Sequence, residues 1–167
     1  DNLALTLRGG AQGLISGSNF SSVQDVALNL VDCDLELHNS MLLANSIGIK
    51  KHISGSVLIE SCHFQGNGIA VDIVESIDGT DISIHNSDFI ESYNVGVLNE
   101  GVIPIDASLC YWNEIQETSG PIVQEPVLGE MVFPLALPAP VMSSTAGPMV
   151  DGDEPLDWDM PISWDPE

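Results

Sequence analysis

The sequence is poor in basic residues. Its 167 residues include 25 Asp and Glu but only 3 Lys and Arg, which gives a formal net charge of −22. A surface of that sign repels phosphate backbones and anionic lipids, so binding to nucleic acid or to a membrane surface through a basic patch is excluded. Basic proteins, divalent cations or a saline medium suit such a surface. Strong acidity also occurs in salt-adapted proteins, where it serves solubility rather than a particular site.

The sequence also lacks a long apolar run. No stretch is long enough to span a bilayer, and no charged-then-apolar leader is found at Asp1. We therefore expect no membrane insertion. Either a leader has already been removed or the chain is part of something longer.

Cysteine is scarce and odd in number. Cys33, Cys62 and Cys110 cannot all pair within one chain, and their spacing matches neither a zinc knuckle nor a CxxC redox motif. Cys33 and Cys110 fall on apolar-facing positions, and Cys62 falls where other repeats have serine. We predict three buried free thiols that pack as small apolar side chains.

The chain does contain an internal repeat. Residues 59–64 have close copies at 84–89 and 37–42, and a looser copy at 15–20. The copies end at positions 20, 42, 64 and 89, which are 22, 22 and 25 residues apart. Such a period indicates stacked supersecondary units. Stacking of equivalent residues predicts an internal core stack of Phe20, Leu42, Phe64 and Phe89.

Each unit holds two or three short strands and shows no helical periodicity. An alternating strand at 57–59 is followed by a small polar turn, a large inward residue, an Asn or Gly corner and a second strand at 69–73. A unit of about 22 residues suffices to travel once round a small triangular coil. A leucine-rich repeat has a similar period, but its Leu-x-x-Leu-x-Leu-x-x-Asn frame is absent. The pattern therefore predicts an all-β fold built as a β-helix.

The end of the repeat array resembles a known family. Residues 105–113 are followed by Ser-Gly-Pro at 119–121 and by Val-Phe-Pro-Leu at 132–135. This order is similar to the terminal coil of the right-handed parallel β-helix repeats of pectin-lyase-like secreted and cell-surface proteins. That coil carries an Ile-Asp-Ala-x-x-Asn-Tyr-Trp-Gly block, a Ser-Gly-Pro turn and a Val-x-Phe-x-Pro closing strand. Here Cys110 and Asn113 replace the usual Asn and Gly.

The resemblance covers about residues 11–138. It implies a right-handed parallel β-helix of about five coils with an extended C-terminal tail, in an extracellular or cell-surface protein. Because function lies in a site rather than in a fold, it says little about activity. We place a β-helix domain at 1–138, a linker rich in Pro, Gly, Ser and acidic residues at 139–155, and an amphipathic strand-like tail at 156–167.

The tail alternates apolar residues with polar ones or proline. In a strand, its aspartates and Ser163 share one face and its apolar residues share the other. Pro161 cannot donate to a ladder, so such a strand belongs at a sheet edge. The predicted partner-docking face consists of Leu156, Trp158, Met160, Ile162 and Trp164.

The patterns of active β-helix enzymes are missing. A polygalacturonase-like set needs an Asp-Asp pair, a Gly-His-Gly and an Arg-x-Lys, and none is present. A lyase needs a basic residue beside calcium-binding aspartates, because a cation must hold the charge that develops on proton abstraction. The only cations are Arg8, Lys50 and Lys51. We predict no catalytic residue and no enzymatic activity.

Two groups of residues invite a metal-site interpretation. The first is a predicted outward column at one aligned position: Ser16, His38, Glu60, His85 and Asp106. Neighbouring coils seldom converge side chains on one ion, so a solvated column of alternating His and acid is the preferred interpretation. The second, the acidic run at 151–154, resembles the opening of a calcium loop but lacks the later glutamate, and suits weak calcium association at most. We assign no metal ligand and no cofactor.

Both ends of a β-helix are open strand edges that must be capped or paired. Since no amphipathic capping helix is evident, the first hypothesis is a non-enzymatic structural protein that forms a homo-oligomer, filament or surface layer. Its coils would stack head to tail, and the tail would dock on a neighbour by strand addition. The tail folding back on its own β-helix stays an alternative.

The second hypothesis is a glycan- or cation-binding module of a larger adhesin or carbohydrate-active protein. It relies on stacked Asn, Asp and Ser side chains along one flank. The few aromatic residues of the coils, Tyr93, Tyr111 and Trp112, offer little surface for a sugar to stack on.

Overall fold

The computed structural model describes residues 3–75, 81–113 and 118–132. All regular secondary structure in these residues is β-strand, and every strand pairing is parallel. No helix in this part of the chain is long and apolar enough to cross a membrane. The expectation of an all-β parallel solenoid is confirmed.

The chain winds through three sheets in a fixed order, and one strand from each sheet makes a coil. The first coil contains β1 (Leu5–Arg8), β2 (Gln12–Ser16) and β3 (Asn19–Ser21). The second contains β4 (Val26–Val31), β5 (Asp34–His38) and β6 (Met41–Leu43). The third contains β7 (Ile47–His52), β8 (Val57–Glu60) and β9 (His63–Gln65). The fourth contains β10 (Ile69–Ile73), β11 (Ile82–His85) and β12 (Asp88–Ile90).

The fifth coil contains β13 (Val95–Asn99), β14 (Ile105–Asp106) and β15 (Tyr111–Trp112). Two further strands, β16 (Thr118–Ser119) and β17 (Ile122–Val123), begin a sixth turn. Sheet A joins β1, β4, β7, β10, β13 and β16; sheet B joins β2, β5, β8, β11, β14 and β17; sheet C joins β3, β6, β9, β12 and β15. The chain therefore forms about five coils, as the repeat period predicts.

The compact first unit of the chain spans Asp1–Leu135. The second unit, Ala136–Glu167, lies outside the described residues, and so do the predicted linker and strand-like tail.

The large apolar residues of sheet C stack along the solenoid axis. The register places Phe20 beside Leu42, Leu42 beside Phe64 and Phe64 beside Phe89. The rings of Phe64 and Phe89 lie 4.9 Å apart with an interplanar angle of 1°. Trp112, which the repeat did not identify, continues the stack at 4.4 Å from Phe89. Only Phe20, in the first coil, is half-exposed among the four predicted members.

Buried asparagines link the corners between sheets C and A. The Asn67 Oδ1 accepts hydrogen bonds from the backbone N–H and the side-chain amide of Asn45, both at 3.0 Å. The Asn45 Oδ1 in turn accepts from the Val23 N–H at 3.0 Å. Their amide groups donate to the carbonyls of Phe20 and Leu42 at 3.1 and 2.7 Å. This ladder satisfies backbone groups that the corner leaves without strand partners.

The bends between sheets B and C share one geometry, which explains the recurring Asn-Ser pattern. The first bend residue adopts a left-handed conformation with φ between 48° and 59° in all five coils: Gly17, Asn39, Ser61, Asn86 and Leu109. The next residue donates its hydroxyl or thiol to the carbonyl two residues earlier: Ser18, Ser40, Cys62, Ser87 and Cys110. Cys110 therefore belongs to the column of Cys62 and the serines, and it is buried in the hydrophobic core cluster, as the expectation of an apolar-facing position requires. The bend geometry, and not apolarity, selects a small polar side chain here.

We expect Phe64→Ala to lower the free energy of unfolding by about 3–5 kcal/mol, because it leaves a cavity in the middle of the aromatic stack. Tyr93, whose side chain is 81% exposed, provides the control: Tyr93→Ala should change stability by less than about 0.5 kcal/mol. Urea unfolding followed by circular dichroism measures both. Equal losses for the two variants would contradict a fold held by this stack.

Candidate functional site

The predicted outward column is present on sheet B for four of its five residues. The register pairs Ser16 with His38, His38 with Glu60, and Glu60 with His85. His38 lies between two carboxylates, with its Nδ1 3.4 Å from Glu60 and its Nε2 3.6 Å from Glu36. These side chains are partly or largely exposed, so the column is a solvated surface on which histidine and acidic side chains alternate.

Asp106 is not in this column, contrary to the sequence alignment. It pairs with Ser83, two residues before His85. The cause is Ala107, which is fully buried and points inward like Ile105, so Asp106 projects outward between two inward residues. The Asp106 carboxylate still reaches the His85 Nε2 diagonally at 3.1 Å. Hydrogen bonds from Ser108 hold the pKa of Asp106 below its usual value.

Sheet C carries a second His–Asp pair, which sequence reasoning missed. His63 and Asp88 alternate with the inward Phe64 and Phe89, so they point away from the core, yet both are buried. The His63 Nδ1 lies 3.3 Å from the Asp88 Oδ2, and the Asp88 Oδ1 accepts a hydrogen bond from the Val132 N–H at 2.7 Å. The pair therefore ties the chain near Val132 to the outer face of sheet C.

The potential metal ligands and the cations of the described residues are dispersed over the solenoid. Among residues 3–75, 81–113 and 118–132, no group of three or more His, Cys, Asp or Glu side chains could hold a metal ion. The acidic run at 151–154 lies outside these residues. Lys50 pairs with Asp72 at 3.1 Å, and Lys51 is fully buried, donating to the carbonyls of His52 and Ser54.

Lys51 takes a place in the interior that the repeat gives to aliphatic residues, since its register neighbours are Leu30 and Ile73. Burial lowers the pKa of its ammonium group. Its two carbonyl acceptors belong to His52, the last residue of β7, and to Ser54 in the bend that follows, so the side chain stabilises the end of this strand and the bend.

The first coil lies at one end of the solenoid that the described residues form. Each of its strands is the terminal strand of its sheet. Leu5 is 37% exposed, whereas Leu28, its neighbour in the second coil, is fully buried. Phe20 is half-exposed and Leu42 beneath it is fully buried. These inward side chains of the first coil are therefore more accessible than their neighbours in the second coil.

The backbone hydrogen bonds between coils run in a constant direction. The N–H of an outward-facing residue donates to the preceding coil, as in Met41 to Ser18 at 2.8 Å and Tyr111 to Ser87 at 2.9 Å. The N–H of an inward-facing residue donates to the following coil, as in Val57 to Asp81 at 2.8 Å. In the first coil, the outward residues therefore direct their N–H groups towards the open end.

A groove of about 480 Å³ lies on sheet B close to the same end. Polar and apolar side chains line it: Gln12, Leu14, Asp34, Glu36, Ser56 and Leu58. Leu14 is 71% exposed. None of the described residues that line the groove is aromatic, so these residues offer no ring surface of the kind on which sugars usually stack.

No protein-family model, curated protein or solved structure matches this chain. The predicted docking residues of that tail, from Leu156 to Trp164, lie outside the described residues.

All three cysteines are buried free thiols in the structure. Burial raises the pKa of Cys62 to about 11 and that of Cys110 to about 12, and it also raises the pKa of Cys33. We expect a thiol reagent such as Ellman's reagent to react at pH 8 at least about 100-fold more slowly with the native protein than with the urea-unfolded chain, because the thiolate is the nucleophile. Rapid native labelling of one thiol would show that its bend opens readily.

Proposed function

We propose that this protein is a non-enzymatic structural protein of the extracellular medium or cell surface that self-associates head to tail. We also propose that the chain belongs to the pectin-lyase-like β-helix proteins. The observation that supports association is the first coil, where the terminal strands of the three described sheets and partly exposed inward side chains lie together. Open strand edges are templates for pairing with another chain.

The partner that best fits this end is another copy of the same chain. The sequence of its tail alternates apolar residues with polar ones or proline, and strand addition gives an extended segment both backbone hydrogen bonds and pockets for alternate side chains. An edge of one copy that binds a different segment of the next copy makes a heterologous contact, which repeats into open filaments when the rotation does not close.

We expect deletion of residues 150–167 to abolish assembly, measured by light scattering and electron microscopy. Two single substitutions in the full chain sharpen the test. Trp158→Asp places a charge on the apolar face and should weaken assembly, whereas Ser163→Asp places the same charge on the opposite face and should not. Assembly that survives the deletion would remove the tail from the mechanism.

We also expect assembly to increase with salt. Copies that carry a charge of −22 repel one another, and the screening length falls from about 30 Å at 0.01 M to about 3 Å at 1 M ionic strength. Sedimentation velocity across this range measures the effect. Assembly that is strongest at the lowest salt would contradict an interface dominated by apolar and backbone contacts.

The groove on sheet B supports a second candidate function, the binding of a glycan. Its volume of about 480 Å³ suits a small ligand, and Asp34, Glu36 and Gln12 offer acceptors for sugar hydroxyls. A glycan array followed by calorimetry on Glu36→Ala tests it. Binding that this substitution leaves unchanged, or no binding at all, would remove the groove as a glycan site.

A further inference from the structure

We infer that the groove on sheet B binds an extended basic segment of another protein, one with arginine or lysine at alternate positions. The inference goes beyond the proposed self-association and does not depend on it. Two features of the described residues support it: the sign of the charge on the outer face of sheet B, and the leucines that border its carboxylates.

The outer face of sheet B is acidic, whereas the cations of the chain lie on another sheet. Arg8, Lys50 and Lys51 all belong to strands of sheet A. The described strands of sheet B contain no Lys or Arg, and their outward carboxylates are Asp34, Glu36, Glu60 and Asp106. A face with charge of one sign attracts a partner of the opposite sign and directs its approach.

The groove extends over three successive coils on this face. Two outward residues from each coil line it: Gln12 and Leu14, Asp34 and Glu36, and Ser56 and Leu58. Their side chains lie in parallel columns and do not converge on one point. An extended partner needs no such point, because its own side chains are also spaced regularly along its length.

Glu36 lies between two leucines in this groove. The register places it beside Leu14 of the first coil and Leu58 of the third. Neighbouring strands are about 4.8 Å apart, so both leucines border the carboxylate. Leu14 is 71% exposed, and the side chain of Glu36 is 63% exposed. An exposed acid flanked by aliphatic side chains matches arginine or lysine, in which an apolar stem carries a cationic head.

Asp34 provides a second carboxylate in the same strand, two residues before Glu36. Its Oδ1 accepts a hydrogen bond from the Ser56 N–H at 2.8 Å, which orients the carboxylate towards the third coil. Two residues of a strand span about 6.6 Å, and so do alternate residues of an extended partner. A partner that lies along β5 therefore sets one cationic side chain on Asp34 and the next on Glu36.

The occupant is a different protein rather than a second copy of this chain. The chain has only three Lys and Arg residues. Lys51 is fully buried, and Lys50 pairs with Asp72 at 3.1 Å. A second copy also carries a net charge of −22, so it cannot supply the cations that this face attracts.

Two synthetic peptides of the same composition test the spacing. Both are acetylated, amidated nine-residue serine peptides with two arginines, at positions 4 and 6 in the first and at positions 4 and 5 in the second. An extended backbone presents the arginines of the first peptide on one face and those of the second on opposite faces. We expect the first to bind about fivefold more tightly in an NMR titration of the ¹⁵N-labelled protein, with shifts concentrated in β2, β5 and β8.

The titration is run at about 0.05 M ionic strength, where charge interactions are weakly screened and repulsion between copies opposes assembly. Two substitutions that each change the net charge from −22 to −21 then test the carboxylate. Glu36→Gln should weaken binding of the first peptide about fivefold. Glu100→Gln, at an exposed residue that follows β13 of sheet A, should change it by less than about twofold.

A further matched pair tests the contact with the aliphatic stem. Leu14→Ser should weaken binding of the first peptide about threefold, because it removes apolar surface beside Glu36. Val102→Ser removes an aliphatic side chain that is 82% exposed and lies outside the groove, so it should have no effect. Circular dichroism and thermal melting establish that all four variants fold like the parent.

Equal binding of the two peptides, or equal effects of Glu36→Gln and Glu100→Gln, would show attraction by net charge alone and overturn the inference. Spermidine that binds more tightly than the first peptide would overturn the assignment to a protein. A glycan that displaces the peptide at a lower concentration would assign the groove to the second candidate function instead. Groove binding by a protein that stays monomeric at every salt concentration would support this inference while the proposed self-association fails.

Discussion

The hydrogen bonds between successive coils are the interaction on which the rest of this structure depends. Each coil is held by the coil before it and the coil after it, and it has few contacts with anything more distant. Outward residues donate backward along the chain and inward residues donate forward. This direction follows from the parallel pairing, in which the N–H and C=O of one residue point to the same neighbouring strand. It also makes the two ends of the solenoid chemically different.

Parallel stacking places equivalent residues in columns, so the residues of one column meet the same structural requirement in every coil. The column of large apolar residues fills the interior on the side of sheet C. The column of small hydroxyl and thiol side chains closes the bend between sheets B and C, and the asparagines close the corner that leads to sheet A. Lys51 interrupts a column of aliphatic side chains. Its burial is tolerated because the carbonyls of His52 and Ser54 accept hydrogen bonds from its ammonium group.

The same columns explain why the long outer faces are weak candidates for a site. Side chains in one column point in parallel directions, so they pair with immediate neighbours rather than converge on a common point, as His38 does with Glu60. Convergence needs a surface where a column ends. Among the described residues, the first coil combines the terminal strand of each sheet with apolar side chains that are more accessible than those of the second coil. The proposed self-association therefore uses this end of the solenoid rather than its sides.

The sequence by itself determined the fold, because a period near 22 residues leaves a parallel coil as the arrangement that keeps apolar residues inward in every repeat. It placed Phe64 beside Phe89 for that reason. Only the tertiary structure decided how the last coil is set: Ala107 points inward, which moves Asp106 beside Ser83, and Trp112 ends the aromatic stack. A small alanine carries too little hydrophobic signal to reveal its direction. The burial of His63 and Asp88 was also beyond sequence reasoning, because it depends on a backbone contact with Val132, 44 residues beyond Asp88 in the chain.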